Sequence, residues 1–248
     1  MKLNLPEATF MVPYKFDTPD RVRNIEISVD YLVNNLNTNI IICEQNGDTV
    51  PESIKKLCYY VKMTSEHPIL HDTRMTNLMA HIAKTPVIIN YDCDILLPLS
   101  AYEEAYSLLI NDQYDIVYPY RKFLDMSPRL LKSNVDEIDQ KKLKVIKPEG
   151  ESVGGVVFYK KDKYIESGME NEKVIGWGYA DDERFHRFTK LGLRITRTEN
   201  PLFHINHRGG MSNPFFQTNK QEFERIKNIS VDELRTEIES WSWKYEKN

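Results

Sequence analysis

Two carboxylates one residue apart, Asp92 and Asp94, follow directly on the apolar run Pro86-Val87-Ile88-Ile89. A short β-branched run that ends in acids describes a buried strand carrying carboxylates to its C-terminal end, the edge of an open α/β sheet where ligands bind. Carboxylates this close repel each other unless a cation lies between them. Oxygen donors of this kind suit Mg²⁺ or Mn²⁺, ions that commonly carry phosphates. A second group, Gly176-Trp177-Gly178-Tyr179-Ala180-Asp181-Asp182-Glu183, sets an indole between glycines just ahead of three acids. Glycines let the backbone turn tightly and present the indole face, on which the C–H face of a sugar ring stacks. The acids can accept hydrogen bonds from hydroxyls or act as a general base; at a helix start they equally favour the macrodipole. A third group is His204-Ile205-Asn206-His207, followed by Arg208-Gly209-Gly210. Two histidines three apart can converge on one metal. One structural and one exposed histidine is the simpler alternative, and Arg208 with the glycines also suits an anion-binding loop.

The elements that must position these groups alternate between strand and helix. Ala8–Val12 reads as a strand stopped by Pro13, and 21–35 as a helix with Val22, Ile25, Val29, Leu32 and Val33 on one face. Strand 39–43, a Gly-containing loop over 44–48, helix 73–83, strand 87–90, helix 100–109 and strand 115–118 follow. Such alternation predicts a mostly parallel sheet. Residues 123–151 are charged and lack periodicity, which predicts an excursion or mobile loop rather than core. Strand character returns at 152–159 after Gly154-Gly155; 181–191 suits a helix and 194–196 a strand. In the tail, Ser230 and Glu233 form a capping-box signature, with Leu234, Ile238, Trp241 and Tyr245 on one face beyond it. There is no internal repeat or flexible linker, so one domain over 1–248 is expected, with working halves at about 1–120 and about 150–215 and a helical tail over 219–248.

Composition narrows the class. A chain of 248 residues that is 41% apolar can build a core, so disorder is excluded. A net charge of −4 without a long basic run argues against a nucleic-acid partner. Three scattered cysteines, Cys43, Cys58 and Cys93, make neither a disulfide framework nor a zinc cluster and suit a reducing compartment. No signal-peptide pattern and no apolar run near the roughly 20 residues of a membrane span is present. The expectation is a soluble cytoplasmic protein, with docking at the inner face of a membrane left open.

Together the three groups resemble one family. From Phe10 to about Pro214 the chain is similar to GT-A glycosyltransferases, close in pattern to the β-1,4-galactosyltransferases and their bacterial and viral relatives. Phe10-Met11-Val12-Pro13-Tyr14-Lys15 resembles the family's opening strand, which ends in Pro-Phe-Arg and holds the nucleotide. Gln45-Asn46-Gly47-Asp48 resembles its Gln-x-Gly-Asp, and 73–77 its Asn-Arg-Ala-Lys-Leu helix start, whose Arg faces the donor and falls on Arg74. Asp92-Cys93-Asp94 matches its Asp-x-Asp, Gly154-Gly155-Val156 its acceptor-side strand, and Gly176-Trp177-Gly178 with the following acids its Gly-Trp-Gly-Gly-Glu-Asp-Asp. The resemblance implies an α/β GT-A fold: one Rossmann-like mixed sheet flanked by helices.

It also implies a metal-dependent inverting transferase that moves galactose or a related hexose or N-acetylhexosamine from a UDP-sugar to a hydroxyl of a glycan or lipid-linked saccharide. Asp181 falls on the catalytic base, and Trp177, Gly178, Asp182 and Gly155 on the acceptor side. Pro13, Tyr14, Lys15, Arg21, Arg74 and Asp92 fall on the nucleotide-sugar side. Asp94, His204 and His207 fall on the Mn²⁺ (or Mg²⁺) site, with His204 in place of the family's Met, a harder ligand. The family's Gly-Glu is Tyr179-Ala180 here, which removes one acceptor contact. Motion over the donor is expected near Gly176 and near Gly209-Gly210. The competing readings are a retaining transferase of the polypeptide GalNAc-transferase type, a metal-dependent hydrolase built on Asp92, Asp94, His204 and His207, and a non-catalytic sugar-binding module. Elsewhere, His67 and His71 read as surface residues, His81 as structural and Cys93 as pointing into the core behind the site. Trp241 and Trp243 read as packing for the last helix, with membrane contact as the alternative.

Overall fold

The computed structural model describes residues 2–131, 135–208 and 212–245. In chain order the strands and helices are β1 (Leu3–Tyr14), α1 (Pro19–Asn35), β2 (Leu36–Gln45), α2 (Glu52–Lys55), β3 (Tyr59–Met63), α3 (Asp72–Ile82), β4 (Val87–Tyr91), β5 (Ile95–Leu96), α4 (Leu99–Ile110), β6 (Ile116–Tyr118), β7 (Lys122–Met126), β8 (Lys144–Lys147), β9 (Val156–Lys160), α5 (Lys161–Glu166), α6 (Ala180–Lys190), β10 (Ile195–Arg197), β11 (Pro201–Ile205), α7 (Phe216–Asn228) and α8 (Val231–Ser240).

Seven strands form the main sheet in the order β10-β6-β9-β4-β1-β2-β3. The set β4, β1, β2 and β3 is parallel, and β9 runs antiparallel to both β4 and β6. Strand alternation divides the apolar residues between the two faces. Phe10, Val12, Ile40, Ile42 and Ile89 join the core under Ile25, Val29 and Leu32 of α1, whereas Met11, Ile41, Cys43 and Ile88 join the core under Met75 and Met79 of α3. The parallel strands β1, β2 and β4 share one C-terminal edge, which brings residues 13–15, 44–48 and 92–94 to the same rim.

Several expectations are corrected. The opening strand runs on through Pro13 to Tyr14, because β4 pairs with β1 only as far as Met11. Beyond that point β1 has one neighbour, where a missing N–H is tolerated. Residues 123–151 are not an unstructured excursion. They contribute β7 and β8 to a second sheet, order β5-β11-β7-β8, and bury Leu124, Met126 and Val135. The mixed sheet flanked by helices that the resemblance implies is the seven-stranded one, and this four-stranded sheet is added to it. The last helix ends at Ser240, so Tyr245 leaves the apolar face and is exposed, while Leu234, Ile238 and Trp241 are buried. The Ser230–Glu233 capping box is present. Among the described residues no helix is long and apolar enough to cross a membrane.

Candidate active site

The acids of 92–94 lie at the junction of the two sheets. The Asp92 N–H donates to Gly155 O, which fixes the turn leaving β4 against the start of β9. The Ile205 N–H donates to Asp94 O, and β11 pairs antiparallel with β5, placing His204 opposite Ile95. His204 is thereby set beside Asp94, and His207 follows three residues on. Their Nε2 atoms lie 3.8 Å and 3.2 Å from the same oxygen, Asp94 Oδ2. One ligand atom from each of the three residues falls within 4.8 Å of the others, a set able to hold a divalent cation. The donor types fit Mn²⁺: one carboxylate oxygen and two imidazole nitrogens. Arg21, expected on the nucleotide-sugar side, donates to Asp94 Oδ2 and touches Cys93 Sγ, so it stands beside the candidate metal triad. Cys93 is buried in the core behind the acids, as expected.

Charge is unevenly shared between the two acids. Burial alone would raise the Asp94 carboxyl, but the His207 hydrogen bond and the Arg21 and His204 charges outweigh it and hold it below the usual range. The hydrogen bond to Asp94 in turn raises His207. Asp92 is open to solvent on one side yet recessed in the site; desolvation, then the Asp94 and Asp181 charges, push its carboxyl well up.

Asp181 reaches the site across Gly154-Gly155. A Cβ on Gly154 would stand 2.3 Å from Asp181 Oδ2, and Gly155 has φ +84° with Leu202 and Phe123 pressed on it. Only glycine permits this double approach. Asp181 Oδ1 is held at 2.7 Å by Arg184, whose buried guanidinium also binds Glu170 Oε1 at 2.9 Å and Val153 O at 3.1 Å. Oδ2 is left facing the glycines. The acidic run after Trp177 thus divides by function of place. Asp181 faces the site, Asp182 is exposed, and Glu183 is buried in a two-point pair with Arg187, which also donates to Ser167 O and Met169 O.

Trp177 is 80% exposed and stacks on Phe216. The turn that presents it is tied to α7. Asn219 accepts from Ile175 N and donates to Ile175 O and Gly178 O, and Asn213 donates to Ile175 O and Trp177 O. Tyr179 begins α6 in a left-handed conformation, φ 69°, its ring stacked on Phe223. Gly178, with φ +106°, has Phe216 against the place a Cβ would take.

On the nucleotide side, Pro13 and Tyr14 are buried at the end of β1, Lys15 is half-buried and Arg74 is exposed on the first turn of α3. Burial pushes the Tyr14 phenol up to about 12. Buried Glu44 accepts from Thr49, Val50 and Tyr60 and closes the loop after β2. Gln45 binds His67 O, Ile69 O and His71 N, so His71 is buried rather than on the surface. His81 is structural, as expected, bound to Trp243 O. Trp241 is buried and the Trp243 indole donates to Gly168 O, so packing within the protein engages both rings. Gly209 and Gly210 lie outside the described residues.

Sequence reasoning missed Asp72, Glu170, Arg184, Asn213 and Asn219. Asp72 has a buried Oδ1 without a hydrogen-bond partner. Desolvation, then the Asp181 and Glu170 charges, raise its carboxyl to about 7. Its one sequence signal was its position two residues before Arg74.

Comparison with known proteins places this geometry. Residues 138–208 match the family model described as the N-terminal domain of galactosyltransferase. No curated relative matches the chain in sequence. Among solved structures, the chain is similar to GalNAc-T7, crystallised with UDP, GalNAc and Mn²⁺, at TM-score 0.61 and 13% identity over 95% of this chain and 51% of that one. It is also similar to the catalytic domain of Drosophila β1,4-galactosyltransferase 7 in complex with xylobiose, at TM-score 0.55 and 16% identity over 92% of this chain and 84% of that one. The chain therefore spans about half the length of the first of these structures. The fold is that of the GT-A glycosyltransferases. Within that class, the chain resembles the galactosyltransferases.

Proposed function

We propose that the protein is a metal-dependent, inverting glycosyltransferase that moves a hexose or N-acetylhexosamine from a UDP-sugar to a glycan hydroxyl. The observation that carries this reading is the convergence, at one rim of a GT-A fold, of the Asp94–His204–His207 triad with Asp92 and Asp181 across Gly154-Gly155. One fold neighbour holds UDP, GalNAc and Mn²⁺ and another a xylose disaccharide, which supports a nucleotide-sugar donor and a saccharide acceptor here. Residues 1–120 form the donor half in this reading, and about 150–215 the acceptor and metal half.

Asp94, His204 and His207 would hold Mn²⁺ or Mg²⁺, which when bound stabilises the diphosphate as leaving group. Arg21, now on Asp94 Oδ2, supplies a second positive charge beside the same group. Pro13, Tyr14, Lys15 and Arg74 line the rim where the nucleotide sugar lies, with Asp92 on the ribose. Trp177 and Gly178 present a flat surface to the acceptor sugar, and Asp182 accepts from its hydroxyls. Asp181, oriented by Arg184, takes the proton of the attacking hydroxyl. The new bond joins acceptor oxygen to the anomeric carbon as the bond from that carbon to the phosphate oxygen breaks, and the nucleoside diphosphate departs. One base opposite the leaving group gives inversion.

The test is a panel of nucleotide sugars, assayed for binding and slow hydrolysis with and without Mn²⁺, wild type beside Asp94→Ala. Manganese-dependent binding of one UDP-sugar, lost in Asp94→Ala, is expected and names the donor. No metal-dependent response to any nucleotide sugar would overturn the reading.

A further inference from the structure

The second sheet ends in a strand with an unusual surface. Strand β8 has β7 on one side only, and all four of its residues are exposed. Four lysines, Lys141, Lys142, Lys144 and Lys147, fall in seven residues around it. Lys142 is 3.5 Å from Asp139, but Lys141, Lys144 and Lys147 form no ion pair among the described residues. Between these charges stand exposed aliphatic side chains: Val145 (47%) and Ile146 (40%). Lysines that served only to keep an edge strand soluble would not need apolar neighbours in water. Equally, clustered lysines oppose pairing of β8 with a second copy of itself, because like charges would meet across the new ladder.

A surface that suits both demands is an anionic lipid bilayer: headgroup phosphates take the ammonium groups and the upper acyl region takes the aliphatic side chains. The position of the strip supports this occupant. Lys144 pairs with Asp125 across β8 and β7, and Asp125 pairs with His204 across β7 and β11. The lysine row is thus two strand spacings, about 10 Å, from a residue of the metal triad. A bilayer seated on it would meet the rim that carries the site. We infer that the β8 edge, with Lys141, is a peripheral membrane-docking surface for anionic lipid. Its bearing on acceptor choice rests on the transferase reading; its existence does not.

The experiment is co-sedimentation of the full chain with vesicles of phosphatidylcholine alone or with about a third phosphatidylglycerol. Wild type is compared with Lys141→Glu/Lys144→Glu and with Val145→Ser/Ile146→Ser, and thermal unfolding confirms that each variant folds. Binding to the anionic vesicles only is expected, weakened by salt. The lysine pair should lose at least about 25-fold, about fivefold for each charge removed, and the aliphatic pair several-fold. Absence of binding, equal binding to both vesicles, or anionic binding unchanged in either folded variant would overturn the proposal. So would a concentration-dependent dimer broken by the same substitutions, which would make a second copy the occupant. No turnover is measured, so failure here is separate from failure of the transferase reading.

Discussion

Asp181 and Asp72 show how two carboxylates in one recess can differ in their partners. Asp181 has an arginine on one oxygen, and the other faces Gly154. Replacing it with Asn keeps the shape and the turn but removes the proton acceptor. Asp181→Asn should therefore lower transfer by about 10²–10⁴-fold while leaving nucleotide-sugar binding intact, measured as turnover beside donor titration. Asp72 has no such partner, and its carboxyl is raised to about 7. An acid raised on folding adds stability below its unfolded value of about 4 that is lost as pH rises through about 7. Asp72→Asn should stabilise the metal-free protein by a few kcal/mol at pH 8 and by little at pH 4. Urea unfolding at the two pH values checks this; an equal effect at both would sink it.

At the scale of elements, the Gly176–Gly178 turn depends on a helix that begins about forty residues later. Asn219 is fully buried and serves the Ile175 N–H and two carbonyls of the turn. Asn219→Ala strands those groups, at a cost of about 1–3 kcal/mol. It should also raise the acceptor KM through a loosened Trp177, with donor hydrolysis unchanged. A denaturation curve paired with acceptor and donor kinetics separates the two effects. The helix α6 carries a different constraint. Its buried Glu183–Arg187 pair explains why the third acid of the run points into the core, away from the side on which Asp181 approaches Gly154.

For the whole molecule, the tail closes the fold from behind. Trp241 is buried with Ile226, Leu234 and Ile238, and packs so tightly on Gly168 that a Cβ there would lie 2.8 Å from its ring. Trp241→Ala should cost about 3–5 kcal/mol. The site geometry lies elsewhere, so a thermal melt should fall while the metal dependence of donor binding persists at low temperature.

The sequence alone determined the local parts. The continuous β-branched run of strand 87–90, the helical spacing of 21–35 and the Ser230–Glu233 box are all short-range patterns, and each formed where it was read, because such patterns set which faces are buried. The acids of 92–94, Asp181 and the two histidines were legible by type and spacing. Only the tertiary structure decided who meets whom. Residues 122–147 look like a charged loop until β11 supplies a strand to pair with, and no local pattern announces a partner some eighty residues away. Asp72, Arg184 and Asn219 carry no motif; their roles come from burial and from neighbours distant in the chain. His71 moved from its expected surface place for the same reason: a side chain's partner is set by packing, which one-dimensional spacing does not encode.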